Sequence, residues 1–128
     1  MTAQEIFDCS VNGLRKQWRK STSFVDYTCL YRGPHGRKCG VGMVITDDEY
    51  SPDMEKSGVM ALKGNGLLPA RLSEHIKLLV ALQEVHDAYP VSDWERRWVK
   101  VAEDFKLKYT APREDNDYSQ PQRSETIF

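Results

Sequence analysis

Apolar positions in the first twenty residues keep a helical rhythm. Phe7, Val11, Leu14 and Trp18 recur every three or four residues and line one side. Thr2 followed by Glu5 is the S/T-x-x-E capping box that opens a helix. Arg15, Lys16, Arg19 and Lys20 crowd its far end, where cations favour the negative pole of the helix dipole, and Ser21-Thr22-Ser23 ends it. Gly13 inside this helix costs about 1 kcal/mol relative to alanine, so tight packing is expected there.

The rhythm then becomes strand-like. Residues 24–31 are rich in aromatic and β-branched side chains, and residues 38–46 carry Val41, Val44 and Ile45. Between them Arg32-Gly33-Pro34-His35-Gly36-Arg37 marks a turn, so the pattern predicts a β-hairpin. Gly40 and Gly42 interrupt the second strand and predict a bulge or a close approach by another backbone. Two strands alone are marginal in water, so the hairpin must lie on helices. An acidic turn over 47–50 follows, capped by Thr46 or Asp47, then a brief helix at 51–55 with Pro52 in its first turn. Residues 56–69 hold Gly58, Gly64, Gly66 and Pro69 and read as mostly loop, with Val59, Met60, Leu62, Leu67 and Leu68 covering part of the core.

Residues 70–88 give the strongest helical signal. Leu72, Ile76, Leu79 and Val80 face one way, Leu82 and Val85 widen the stripe, and Tyr89-Pro90 stops it. Ser92 with Glu95 forms a second capping box, after which Trp94, Trp98, Val101, Ala102 and Phe105 line a final helix. The expected fold class is α+β, a β-hairpin packed against three main helices in one domain over residues 1–109. Residues 110–128 are too polar to offset the entropy of ordering and are expected to form a flexible tail.

Composition narrows the function. The chain has 128 residues, 40% of them hydrophobic, enough for one modest core. Eighteen Lys and Arg against nineteen Asp and Glu leave a net charge of −1, which argues against a DNA coat and against an acidic DNA mimic. No apolar run approaches the ~18 residues of a membrane span, and the start has no basic-then-apolar signal. Three cysteines, an odd number, read as free thiols in a reducing cytoplasm.

The chemistry-bearing residues are few. Cys29 and Cys39 flank the predicted turn, and strand register decides whether their thiols share a face. With His35 at the turn tip they supply too few ligands for structural zinc, so no metal and no cofactor is expected. As a nucleophile Cys39 has Arg37, Lys38 and His35 nearby, but no residue to orient that histidine. His75 and His86, about three helical turns or ~16 Å apart, read as helix-edge residues with solvated tips. His86 and Asp87 do not share a helical face and so are not expected to pair. Basic residues dominate the first 45 positions, followed by Asp47, Asp48, Glu49, Asp53 and Glu55 against a lone Lys56. That asymmetry suits docking of a charged macromolecule. A cleft where thiol, imidazole and carboxylate converge would point to a reaction centre instead.

The stretch from Cys29 to Glu55, reading CLYRGPHGRKCGVGMVITDDEYSPDME, resembles the signature of a family of small phage and prophage proteins. The likeness runs more loosely over residues 1–107. Family members often carry a further cysteine where this chain has Met43. The resemblance implies a phage setting, the cytoplasm of a bacterial host, and action by binding a host protein, including components of bacterial immunity. The expectation is therefore a non-enzymatic binder using Arg32, His35, Arg37 and Lys38 with Asp47, Asp48 and Glu49. Nucleic acid is not expected as its direct ligand. The alternative is a small-ligand or nucleotide-binding module using the glycine-bearing basic turn.

Overall fold

A computed structural model describes residues 1–112. Four α-helices carry the fold: α1 (Ala3–Gln17), α2 (Val59–Gly64), α3 (Ile76–Ala88) and α4 (Trp94–Phe105). Short 3-10 turns at Pro34–Gly36, Pro52–Met54, Ala70–His75 and Val91–Asp93 join them. No helix among the described residues is long and apolar enough to cross a membrane.

Helix α1 begins as its sequence dictates. Thr2 Oγ1 accepts from the Glu5 N–H at 3.1 Å, and Glu5 Oε1 accepts from the Thr2 N–H at 2.7 Å. It stops at Gln17, earlier than the serine cluster, because Trp18 turns left-handed with φ 47°. Helix α3 is the axis, packing against α1, α2 and α4. Ile6, Phe7, Val11 and Leu14 from α1 meet Leu78, Leu79, Leu82 and Val85 from α3 and Trp94, Trp98 and Val101 from α4 in one core. Arg15 lies in the last turn, as its sequence position implies, and is buried there. Its guanidinium forks onto Glu95 at 2.7 and 2.9 Å and reaches the Thr110 carbonyl at 2.7 Å, tying α1 to α4 and the segment beyond it. Glu95 is thus spent on Arg15, and the second capping box does not form: α4 has no side-chain N-cap.

The predicted α+β class is wrong. Among the described residues there is no sheet, and the one β pairing is an isolated antiparallel bridge between Thr22 and Cys29. The reason lies in burial. A half-buried strand alternates, but residues 39–42, 44 and 45 are all buried, so this segment coils instead. The Met43 N–H bonds to the Cys39 carbonyl at 3.0 Å and the Ile45 N–H to the Val41 carbonyl at 3.1 Å. Gly40 is where this turn nests on α3: a Cβ there would lie 2.7 Å from the Leu82 carbonyl oxygen. Gly13 packs tightly as expected, with Met43 Sδ 2.5 Å from where its Cβ would be. Residues 56–69 hide a helix, α2, because Gly58 and Gly64 sit at its two ends rather than inside a loop. Of the expected tail, residues 113–128 lie outside the described residues.

These contacts separate two glycines that look alike in sequence. Gly40→Ala should lower stability by about 1–3 kcal/mol, since the obstructing atom is backbone. Gly64→Ala, where a Cβ meets nothing, should leave stability unchanged or raise it by up to about 1 kcal/mol. Urea midpoints of the two variants check this; equal midpoints would refute the nesting of residues 39–45 on α3.

Candidate functional site

Between α1 and the first 3-10 turn the chain makes its least regular excursion, and Ser21 is the residue that anchors it. Ser21 is fully buried. Its N–H donates to His86 Nε2 at 2.9 Å, its carbonyl accepts from the Leu30 N–H at 2.9 Å, and its hydroxyl donates to the Arg37 carbonyl at 3.3 Å. Gly33 packs against that hydroxyl so closely that no side chain would fit.

Beyond Ser21 the Thr22–Cys29 bridge closes a tight loop. The Ser23 N–H bonds to the Thr28 carbonyl at 2.8 Å and the Tyr27 N–H to the Ser23 carbonyl at 3.0 Å. Asp26 accepts from the Thr28 N–H at 3.2 Å and its hydroxyl at 2.9 Å. With the loop's polar groups turned on itself, its apolar side chains are left in water. Phe24 is 68% exposed, Val25 90% and Tyr27 77%. Tyr27 holds φ 60°, and so does His35, whose ring meets Phe24 edge-on at 5.9 Å. These three apolar residues read as strand because aromatic and β-branched types favour strands. The signal that would have found the loop is the polar set at 21, 22, 23, 26 and 28, the residue types that close turns through their side chains.

Beneath the loop, His86 departs from its expected place at a helix edge. It is 0% exposed and tilted against Trp94 at 5.7 Å between ring centres. Adjacent helical residues project ~100° apart, yet Asp87 turns back so that its Oδ1 lies 2.6 Å from His86 Nδ1. The pairing excluded by helical geometry therefore exists. Cys29 completes a cluster in which one ligand atom from each of Cys29, His86 and Asp87 lies within 4.8 Å of the others. Burial, then its hydrogen bond to Asp87, pushes the Cys29 thiol up to about 12. Burial pushes the Asp87 carboxyl up, but the bonds from His86 and Cys29 outweigh it and hold the group below its ordinary value.

Thiol, imidazole and carboxylate thus converge, and their wiring decides what they do. Because His86 Nε2 accepts a backbone N–H, the ring proton sits on Nδ1 and is donated to Asp87. The imidazole has no lone pair left for a thiol proton, and the thiol itself faces the carboxylate. This is the reverse of the order in a Cys–His catalytic pair, where the base takes the proton and a third group orients the base. A metal fits no better. A ligating histidine donates its second N–H outward, whereas here that nitrogen already receives one.

The expected docking residues divide into two sets. Arg32 points inward, bonding the Gly42 and Ile45 carbonyls at 2.8 Å each and Asp47 at 3.2 Å, with its guanidinium 5.1 Å from the Tyr50 ring centre. Glu49 is forked by Arg71 at 2.8 and 2.6 Å. Both charges are used within the molecule. Asp47 and Asp48 are exposed, His35 lies beside the aromatic loop, and the Arg37 and Lys38 side chains bond no carboxylate among the described residues. The backbone here is not a free phosphate cradle: the N–H groups of Gly33, Arg37 and Lys38 donate to the Arg37 carbonyl, the Pro34 carbonyl and Gln17 Oε1. Cys39 is buried away from Cys29's cluster, with its sulfur accepting from the Gly42 N–H at 3.4 Å. His75 meets the Met1 carbonyl at 3.1 Å.

No protein-family model, curated protein or solved structure matches the chain.

Two measurements follow from this wiring. At neutral pH Cys29 should react with iodoacetamide more slowly than a free cysteine, and added zinc should not raise the melting temperature; a burst of alkylation or a zinc-dependent rise would overturn the proton assignment. Glu49 gives a pH dependence of known sign. The Arg71 fork holds its carboxyl at about 2 against the ordinary 4.5. Its stabilising contribution is therefore complete above about 4.5 and fades as pH falls toward about 2. Glu49→Gln should flatten that part of the acid-unfolding curve followed by circular dichroism.

Proposed function

We propose that this chain is a non-catalytic binding protein that docks on another protein through the loop over residues 23–28, with His35 against it and Arg37 and Lys38 following in the chain. One observation carries the reading: Phe24, Val25 and Tyr27 stand exposed together on a loop whose backbone is closed by its own hydrogen bonds. Large apolar side chains grouped in water mark interaction surfaces, and aromatic residues dominate the energetics of such surfaces. A bulky residue in the left-handed region costs about 1 kcal/mol or more. Tyr27 and His35 both adopt it, and the His35 ring meets Phe24 edge-on.

Charge supports a partner with an acidic rim. Lys20 lies near Cys29 at the loop's base, and Lys56 lies near Asp26, whose carboxylate is already engaged by Thr28. Arg37 follows the turn that carries His35. The resemblance to small phage proteins points to a bacterial host protein as the partner, with block of a defence component as the consequence of docking.

The test is capture from a bacterial lysate by the wild-type chain and by two variants. Phe24→Ala with Tyr27→Ala should weaken capture of the wild-type partner at least about tenfold. Arg37→Glu with Lys38→Glu should weaken it and reduce its sensitivity to salt. Both variants should keep a melting temperature close to wild type, since the altered side chains are outside the core. Undiminished capture by both would mean that this surface does not bind.

A further inference from the structure

The same buried histidine that disqualifies the cluster as a reaction centre holds the exposed loop in place. We propose that His86 is an acid-sensitive latch: a second proton, on Nε2, turns its acceptor into a donor facing the Ser21 N–H and releases the base of the 23–28 loop. The inference rests on the docking role proposed for that loop only for its biological use, not for its physics.

The geometry makes the latch narrow. Ser21 joins α3, the loop base and the basic turn, through its N–H to His86, its carbonyl to Leu30 and its hydroxyl to Arg37. His86 is wholly buried, so a proton arriving on Nε2 faces the Ser21 N–H rather than bulk solvent. A buried donor without an acceptor is unfavourable, and two donors face to face are worse. The ring's other nitrogen is already committed to Asp87 at 2.6 Å, so it cannot turn to share the new proton.

The surroundings determine the sign. From its own helix the imidazole faces Asp87, with Gln83 bonded to that carboxylate at 3.3 Å. From the segment after α1 come the Cys29 thiol and Lys20, whose Nζ bonds the Asp87 carbonyl at 3.4 Å. From α4 comes Trp94, which carries no charge. Tyr31 and Cys39 lie within electrostatic range of Asp87, and burial raises both, so neither is charged. The Asp87 carboxylate welcomes an imidazolium while the Ser21 N–H rejects it. Protonation therefore keeps the His86–Asp87 pair and breaks the His86–Ser21 bond. The latch is closed when the ring is neutral and opens as pH falls.

Amide hydrogen exchange on the full chain, without any partner, tests this directly. Between about pH 8 and about pH 5, the span over which imidazoles change charge, protection factors of the Ser21 and Leu30 amides should fall at least about tenfold. Leu14 and Leu82 amides, in the interior of α1 and α3, should keep theirs. His86→Gln offers a neutral carbonyl acceptor and should remove the pH dependence. Where that variant fails to fold, nitrogen NMR of wild-type His86 should show an Nδ1–H ring at high pH becoming doubly protonated over the same pH span in which Ser21 protection falls. Constant Ser21 protection while His86 titrates, or a ring that does not titrate in this span, would overturn the latch. Those readouts are independent of lysate capture, so loss of the docking role and loss of the latch are separately visible.

Discussion

Burying an imidazole is unfavourable unless both ring nitrogens find partners, and the two partners found here have opposite character. Ser21 offers a backbone donor to one nitrogen and Asp87 a carboxylate to the other. That pair of bonds fixes the tautomer, and the tautomer fixes the rest. It places the ring proton toward Asp87, leaves Cys29 as a protonated thiol against the same carboxylate, and anchors the chain between α1 and the Pro34–Gly36 turn. Three residue types that elsewhere make a hydrolase are arranged here as structure, because the direction of one hydrogen bond is reversed.

The helical architecture follows from how α3 is covered. A helix with buried side chains on several faces needs neighbours on each, and α1, α2 and α4 take three of them. A further part of it is covered by the coil over residues 39–45, which approaches through Gly40 and is held by Gln83, whose side chain accepts from the Val41 N–H at 2.8 Å. A β-hairpin could not sit there, since its flat ladder would keep its backbone a side chain's length away from the Leu82 carbonyl. The glycines at 40 and 42 therefore interrupt no strand; they allow backbone to lie on backbone.

How much of this was legible depended on range. The first helix, the third and the fourth were readable, because each carries a core stripe of period 3.6, and the first cap is local to Thr2 and Glu5. The second capping box predicted from sequence does not form because Glu95 has a stronger long-range partner, Arg15, eighty residues away in sequence and bonded at 2.7 Å. Local pattern cannot rank a cap against a buried guanidinium. The hairpin failed for the same reason: Val41, Val44 and Ile45 satisfy strand propensity, but the face against α3 buries the segment on all sides. At the candidate site the sequence points to His35, Arg37 and Lys38, the last two bonding no carboxylate among the described residues, but not to the aromatic loop. Its residues are typical of a core, and nothing local says that Phe24, Val25 and Tyr27 are excluded from one.

The distribution of spent and unspent charge connects these points. Arg15, Arg32 and Arg71 each enter the protein to satisfy carbonyls or carboxylates, and Glu49, Glu55 and Glu95 answer them or cap backbone N–H groups. Such internal pairs hold segments with little regular structure at fixed positions, a task that a sheet would otherwise perform. The price is that a break at one pair strands its partner, which is more costly than never having had the pair. A small domain built in this way has rigid joints and few of them. The loop over residues 23–28 is tied to α3 at its base by Ser21 on His86, Cys29 against Asp87 and Lys20 on the Asp87 carbonyl, which gives it a well-defined base. A loop base held in this way suits a recognition element, because a backbone ordered before docking has less entropy to lose when a partner binds.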